Sequence, residues 1–115
     1  MIDVYGIKNC DTVKKARDWL EAEGIGYRFH DFKVEGLDAV TADRWMKVLG
    51  RDVVLNRRGT TWRKLSPAQQ VVNSDADAVK LVTEQPSLVK RPVIDTGKSL
   101  IAGFGDEQRQ VLKSL

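Results

Sequence analysis

The chain has 115 residues, 42% of them hydrophobic and 30% charged, with 19 lysines and arginines against 16 aspartates and glutamates. That length suits one domain and that balance a globular one, not a disordered one. No apolar run approaches the ~20 residues that cross a bilayer, no basic stretch leads into a long apolar one as in a secretory leader, and a net charge of +3 does not by itself indicate nucleic acid. One cysteine and one histidine exclude an internal disulfide framework and a Cys/His zinc site. A reducing, cytoplasmic setting is the expectation.

Residues 1–6 alternate, with Ile2 and Val4 on one face and Asp3 and Tyr5 on the other, which predicts a strand ended by Gly6. A short loop, Ile7 to Asn9, leads to Cys10. From Asp11 to Glu23 the period is helical, with Val13, Ala16 and Leu20 on one face, and Gly24 and Gly26 supply the stop. Tyr27 to Phe32 alternates again and reads as a second strand, so the chain opens with a βαβ unit whose strands should be parallel. From about 36 to 85 the signals are helical and broken, which predicts a helical insertion within a single domain. Thr41 is expected to cap a helix burying Ala42, Trp45, Val48 and Leu49. Arg57 to Thr61 reads as a polar loop. Ser66-Pro67-Ala68-Gln69 is a helix start with a capping box. Ser74 caps a further helix with Ala78, Leu81 and Val82 inward, and Pro86 interrupts it. Val93–Thr96 and Ser99–Ala102 form a hairpin through Thr96-Gly97-Lys98. Asp106 is expected to cap a last helix with Gln108, Val111, Leu112 and Leu115 on one side. The order is β-α-β, helical block, β-β-α.

Cys10 is the most informative residue. It stands where a strand and loop hand over to a helix, and the orphan N–H groups and positive dipole of a helix start favour a thiolate there. Lys8, Lys14 and Lys15 add positive potential, and Thr12 is placed to donate its hydroxyl to the sulfur. A lone cysteine is also a common small core residue. Arg57 and Arg58, with Arg63 and Lys64 just after, form either an anion-binding cluster or a solvated loop, and Arg91 precedes Pro92 at the third strand. An X-Pro bond is the ordinary setting for a cis peptide. His30, in a strand with no second histidine, reads as structural. Trp19 and Trp45 read as packing residues, and Trp62 as a packing or groove residue of the basic loop. There is no phosphate-binding loop, dinucleotide fingerprint or Ser/His/Asp constellation.

Taken together, Gly6-Ile7-Lys8-Asn9-Cys10-Asp11-Thr12 between strand and helix, the helical insertion, the segment from Leu55 to Leu65 (LNRRGTTWRKL) and Lys90-Arg91-Pro92 before a hairpin resemble the arsenate-reductase-like (ArsC/Spx) branch of the thioredoxin superfamily. The likeness runs over essentially the whole chain and is strongest to its YffB-like subgroup, regarded as glutathione-dependent thiol reductases. The resemblance implies an α/β thioredoxin-like fold: a mixed four-stranded sheet flanked by helices. It implies Cys10 as nucleophile, Pro92 as the cis-proline beside it, and Arg91 as the arginine that holds anionic substrate. Lys8, Asn9, Thr12 and Arg58 join Arg91 and Pro92 as expected glutathione and substrate contacts. Glutathione is the implied co-substrate, alongside a disulfide or S-glutathionylated partner. No tightly bound cofactor, metal, nucleic acid or membrane contact is implied, and a monomer is expected.

Two departures bear on the activity. Spx regulators carry a second cysteine three residues on, where this chain has Val13, so an internal two-cysteine switch is impossible. The arsenate reductases of the family use three arginines; Arg91 matches one, Asn56-Arg57-Arg58 matches another ambiguously, and Gly103-Phe104 stands where the third is expected. A glutathione-dependent thiol-disulfide reductase is therefore the leading expectation, ahead of an Spx-like protein that binds RNA polymerase and of an arsenate reductase.

Overall fold

The computed structural model describes residues 1–115. Four strands, β1 (Ile2–Gly6), β2 (Tyr27–Asp31), β3 (Val93–Asp95) and β4 (Leu100–Ala102), form one mixed sheet in the order β2-β1-β3-β4. β1 pairs parallel with β2, Ile2 opposite Tyr27, and antiparallel with β3, Tyr5 opposite Val93; β3 and β4 form the expected hairpin. Alternation sorts the side chains. Ile2, Val4 and Ile94 face Leu20 of α1 (Asp11–Ala22) and Leu112 of α7 (Asp106–Lys113) in one buried cluster, with Trp19, Tyr27, Phe29 and Phe104 packed around it. Asp3, Tyr5, Arg28, His30 and Asp95 take the opposite face.

Residues 1–35 and 91–115 make this first compact unit, and Gly36–Lys90 make a second. A short helix α2 (Phe32–Glu35) follows β2 directly, so the strand ends one residue before the expected Phe32, whose side chain is buried. In the second unit α3 (Ala39–Leu49) packs on α6 (Asp75–Glu84), burying Ala42, Trp45 and Met46 against a face of Ala78, Leu81 and Val82. Two single-turn helices, α4 (Arg51–Val54) and α5 (Thr60–Arg63), lie between them in sequence, and the expected loop thus begins a helical turn at Thr60. The unit runs five residues past the expected 85 because its end is stitched to its middle. Asn56 N–H donates to Leu88 O at 2.8 Å, Lys90 N–H to Val54 O at 2.8 Å, and Leu55 bridges Val89.

Other local expectations are corrected. Asp38, not Thr41, caps α3; its carboxylate accepts the Thr41 N–H at 2.7 Å, which makes Thr41 the third helical residue. Val48 is exposed and Met46 buried, because a 3.6-residue period turns Val48 about 120° from Ala42. The Ser66/Gln69 capping box does form, with Ser66 N–H donating to Gln69 Oε1 at 2.9 Å and Gln69 N–H to Ser66 Oγ at 3.2 Å. No helix grows from it. The chain is a turn through Gln70, whose backbone N–H donates to Ser66 O at 3.1 Å and whose side-chain amide donates to Trp62 O at 3.0 Å, and the β-branched pair Val71-Val72 follows. Gly105, not Asp106, caps α7: Gly105 N–H donates to Gln108 Oε1, and Asp106 is the first helical residue, paired with Arg109. Leu115 lies beyond the helix and is exposed.

Candidate active site

The strand register gathers four chain ends at one edge of the sheet. β1 ends there at Gly6, β2 at Asp31 and β4 at Ala102, while β3 begins there at Val93. Continuing the β1–β3 register by one step sets Pro92 opposite Gly6, and the loop that leaves Gly6 reaches Cys10 four residues on. Sheet topology alone thus brings the cysteine loop and the Arg91-Pro92 pair to the same end of the first unit.

Cys10 is the N-cap of α1, extended at φ −97°, ψ 126°, and its sulfur takes no capping hydrogen bond. Its backbone holds the corner: Cys10 N–H donates to Ile7 O at 3.2 Å, and Cys10 O accepts from Lys14 N–H at 2.9 Å. The side chain is partly accessible, a free thiol. Lys8, Asn9, Lys14 and Lys15 around it are exposed. Thr12 does not donate to the sulfur as expected; residues two apart on a helix do not face each other, and no such bond is present. Val13, three residues after Cys10, is fully buried. It packs where a Cβ on Gly6 would sit, 2.7 Å from Val13 Cγ2, so the glycine allows α1 to close on the end of β1.

The Arg91–Pro92 bond is cis. Pro92 is buried, and its carbonyl accepts from Gly103 N–H at 2.8 Å, tying it to the chain leaving β4. Arg91 is half-buried, with its Nε out of reach of solvent.

The second unit separates the two loop arginines. Arg57 pairs with Asp52 at 2.8 Å and lies 5.4 Å from the Trp62 ring centroid, so its charge is used within the unit; the pair holds the Asp52 carboxyl below its usual range, mainly through the Arg57 hydrogen bond. Arg58 is exposed. Its backbone N–H donates to Asn56 Oδ1 at 3.2 Å and its carbonyl accepts from Arg63, while its side chain extends to solvent. Trp62 is therefore an arginine platform. Trp45 and Trp19 pack as expected, Trp19 edge-on to Phe104. Sequence reasoning did not find the partners of His30: Nε2 lies 2.9 Å from Asp3 and Nδ1 2.9 Å from Glu35. The spacing from His30 to Glu35 was readable, but Asp3 is brought in by the β1–β2 pairing. No cluster of His, Cys, Asp and Glu has the makings of a metal site, and no helix is long and apolar enough to cross a membrane.

A mixed sheet in this strand order, with a cysteine opening the first helix and a cis-proline opening the third strand, has the architecture of the thioredoxin-like class. Within that class the ArsC family model matches residues 5–112, and the chain belongs to the ArsC family. The solved structure of the YffB (PA3664) protein superposes with a TM-score of 0.92 at 43% identity, covering 96% of this chain and 97% of that one. An arsenate reductase (ArsC) related protein from Brucella melitensis is 49% identical with a TM-score of 0.76, covering 99% and 95%. Among sequence relatives, an uncharacterized protein of Haemophilus influenzae is 47% identical over 96% of both chains. The global transcriptional regulator Spx of Bacillus subtilis is 28% identical over 94% of this chain and 83% of its own.

Proposed function

We propose that this protein is a monothiol, glutathione-dependent thiol-disulfide reductase. The observation that carries the reading is the position of the chain's one cysteine: partly accessible, at the N-cap of a twelve-residue helix, at the end of the sheet where Pro92 opens β3. The Cys10 thiolate attacks the glutathionyl sulfur of an S-glutathionylated substrate. A Cys10–glutathione disulfide forms and the substrate thiolate leaves. With no second cysteine in the chain, a second glutathione must attack that disulfide, releasing glutathione disulfide and the Cys10 thiolate. The α1 dipole and first-turn amides favour the sulfur anion as nucleophile and as leaving group. Arg91, with Lys8 and Asn9 on the cysteine loop, offers cationic and polar contacts to the two glutathione carboxylates, and the backbone at Pro92 offers strand-like pairing to its peptide. Thr12, partly exposed in the first turn of α1, is a further polar contact on the same reading and rests on the family resemblance. Arg58 lies in the other unit; as a further carboxylate anchor it rests on the family resemblance.

The test is turnover of an S-glutathionylated peptide by the purified protein with glutathione as reductant. Saturable turnover lost in Cys10→Ser is expected, with Arg91→Ala and Arg58→Ala raising KM for glutathione. Turnover no faster than uncatalysed exchange refutes the reading. The likeness to Spx regulators favours a second reading, a protein that binds RNA polymerase; capture of polymerase subunits equally by the native protein and Cys10→Ser would support it. Arsenate reduction is disfavoured because Gly103-Phe104 offers no third arginine: a tetrahedral oxyanion loses charge-assisted bonds of ~1.5–3 kcal/mol each. Arsenate should therefore cause little thiol consumption with glutathione and glutaredoxin.

A further inference from the structure

On the sheet face opposite the main core, the His30 ring has a carboxylate at each nitrogen: Asp3 Oδ1 at 2.9 Å from Nε2 and Glu35 Oε1 at 2.9 Å from Nδ1. A neutral imidazole donates from one nitrogen only, so only the imidazolium makes both bonds. The ring stacks on Tyr5, with centroids 4.5 Å apart and planes at 16°. The charged and titratable groups facing it are Asp3 and Tyr5 on β1, Arg28 on β2, Glu35 on α2 and, across the sheet from Asp3, Asp95 on β3. Partial burial pulls the His30 pKa down, but the hydrogen bonds and charges of Asp3 and Glu35 outweigh it, and the pKa is raised from 6.5.

The two carboxylates are not equivalent. Asp3 also accepts from Arg28 Nε at 3.0 Å and Nη2 at 3.3 Å, and is only 20% exposed. Glu35 is 50% exposed and its hydrogen bond is to His30 alone. When the ring loses a proton, the one that remains stays on Nε2 beside the anchored Asp3. Glu35 then faces the lone pair of Nδ1 and turns to water. Glu35 is the last residue of α2, and Gly36 after it, at φ +71°, begins the inserted unit.

We infer that His30 is a proton-operated latch at the junction between the sheet and the inserted helical unit, closed when the imidazolium ties Glu35 to β1 and β2 and open when the ring is neutral. The latch does not depend on Cys10 or its chemistry. It is tested by NMR on the full chain, following the His30 ring signals and the backbone 15N order parameters of residues 33–36 across the same pH series. His30 is expected to titrate above 6.5, and the order parameters to fall with the same midpoint, from about 0.85 toward 0.6. Glu35→Gln, an exposed and near-isosteric change, should lower the His30 midpoint and leave residues 33–36 loose at every pH. Order parameters that stay constant through the His30 titration, a midpoint at or below 6.5, or a midpoint unmoved by Glu35→Gln would each overturn the latch.

Discussion

Replacing Gly6 with alanine sets a methyl group 2.7 Å from Val13 Cγ2, where ordinary carbon contacts begin at 3.4 Å. The overlap of 0.7 Å (3.4 − 2.7) must be absorbed by Val13, which is fully buried and β-branched, with little rotamer freedom to give. Overpacking of this kind costs about 1–3 kcal/mol, offset by roughly 0.4–1 kcal/mol from the stiffer unfolded chain. The net expectation for Gly6→Ala is a loss of about 1–2 kcal/mol, or a fall in Tm of roughly 4–8 °C for a chain of this size. Denaturant unfolding of Gly6→Ala, Val13→Ala and the double variant isolates the contact. Val13→Ala removes both γ-methyls, so Gly6→Ala should cost at least ~1 kcal/mol less in that background, a coupling within the range for touching residues. Because Val13 lies three residues after Cys10 and the Lys14 N–H is bonded to Cys10 O, the single variant should also change the rate of Cys10 alkylation in the folded protein. Equal cost in the two backgrounds would refute the close-packing explanation of Gly6.

Ile94 sits fully buried at the centre of the sheet cluster, so Ile94→Ala should lose about 2–5 kcal/mol in denaturant unfolding. Ser74 Oγ accepts the Asp77 N–H at 3.1 Å at the start of α6, and Ser74→Ala should cost about 1 kcal/mol, while Ser74→Asp should retain most of it. The raised His30 pKa makes its contribution to stability complete below pH 6.5 and lost as pH rises through the folded-state value; the stability gap between the native protein and Glu35→Gln should close over that window. Asp3 has the opposite sign. Its burial opposes ionisation, but the His30 and Arg28 hydrogen bonds lower its pKa, so its contribution is present above 3.8 and lost as pH falls. Asp3→Asn should flatten the acid limb of the stability curve.

Periodicity was enough to read β1, α1, α6 and the β3–β4 hairpin, because their core residues repeat at the spacing of their own element. Reading failed where a local signal had a local rival. Asp38 and Thr41 are both good caps three residues apart, and only the seating of Ala42, Trp45 and Met46 chooses Asp38. The Ser66 box satisfies its amides, yet Ala68 and Val71, which a helix would place on one face, stay exposed, and with no buried face to support it no helix follows. The site divides the same way. Cys10 at a helix start was legible from six residues of sequence. That Arg57 is engaged by Asp52 and Trp62 while Arg58 extends to solvent was not, since both arginines carry the same charge in the same loop.

What the chain carries in one dimension is therefore its element order, the faces of its longer helices and the placing of Cys10 before α1, all set by contacts within a few residues. The tertiary structure decided the rest: β3 inserted between β1 and β4, the cis Arg91–Pro92 bond brought to the end of the sheet where Cys10 lies, and Asp3 carried to His30 across 27 positions. These depend on strand pairings between distant segments, and a pairing partner is chosen by which apolar faces close one core together, a condition that no single stretch of sequence contains.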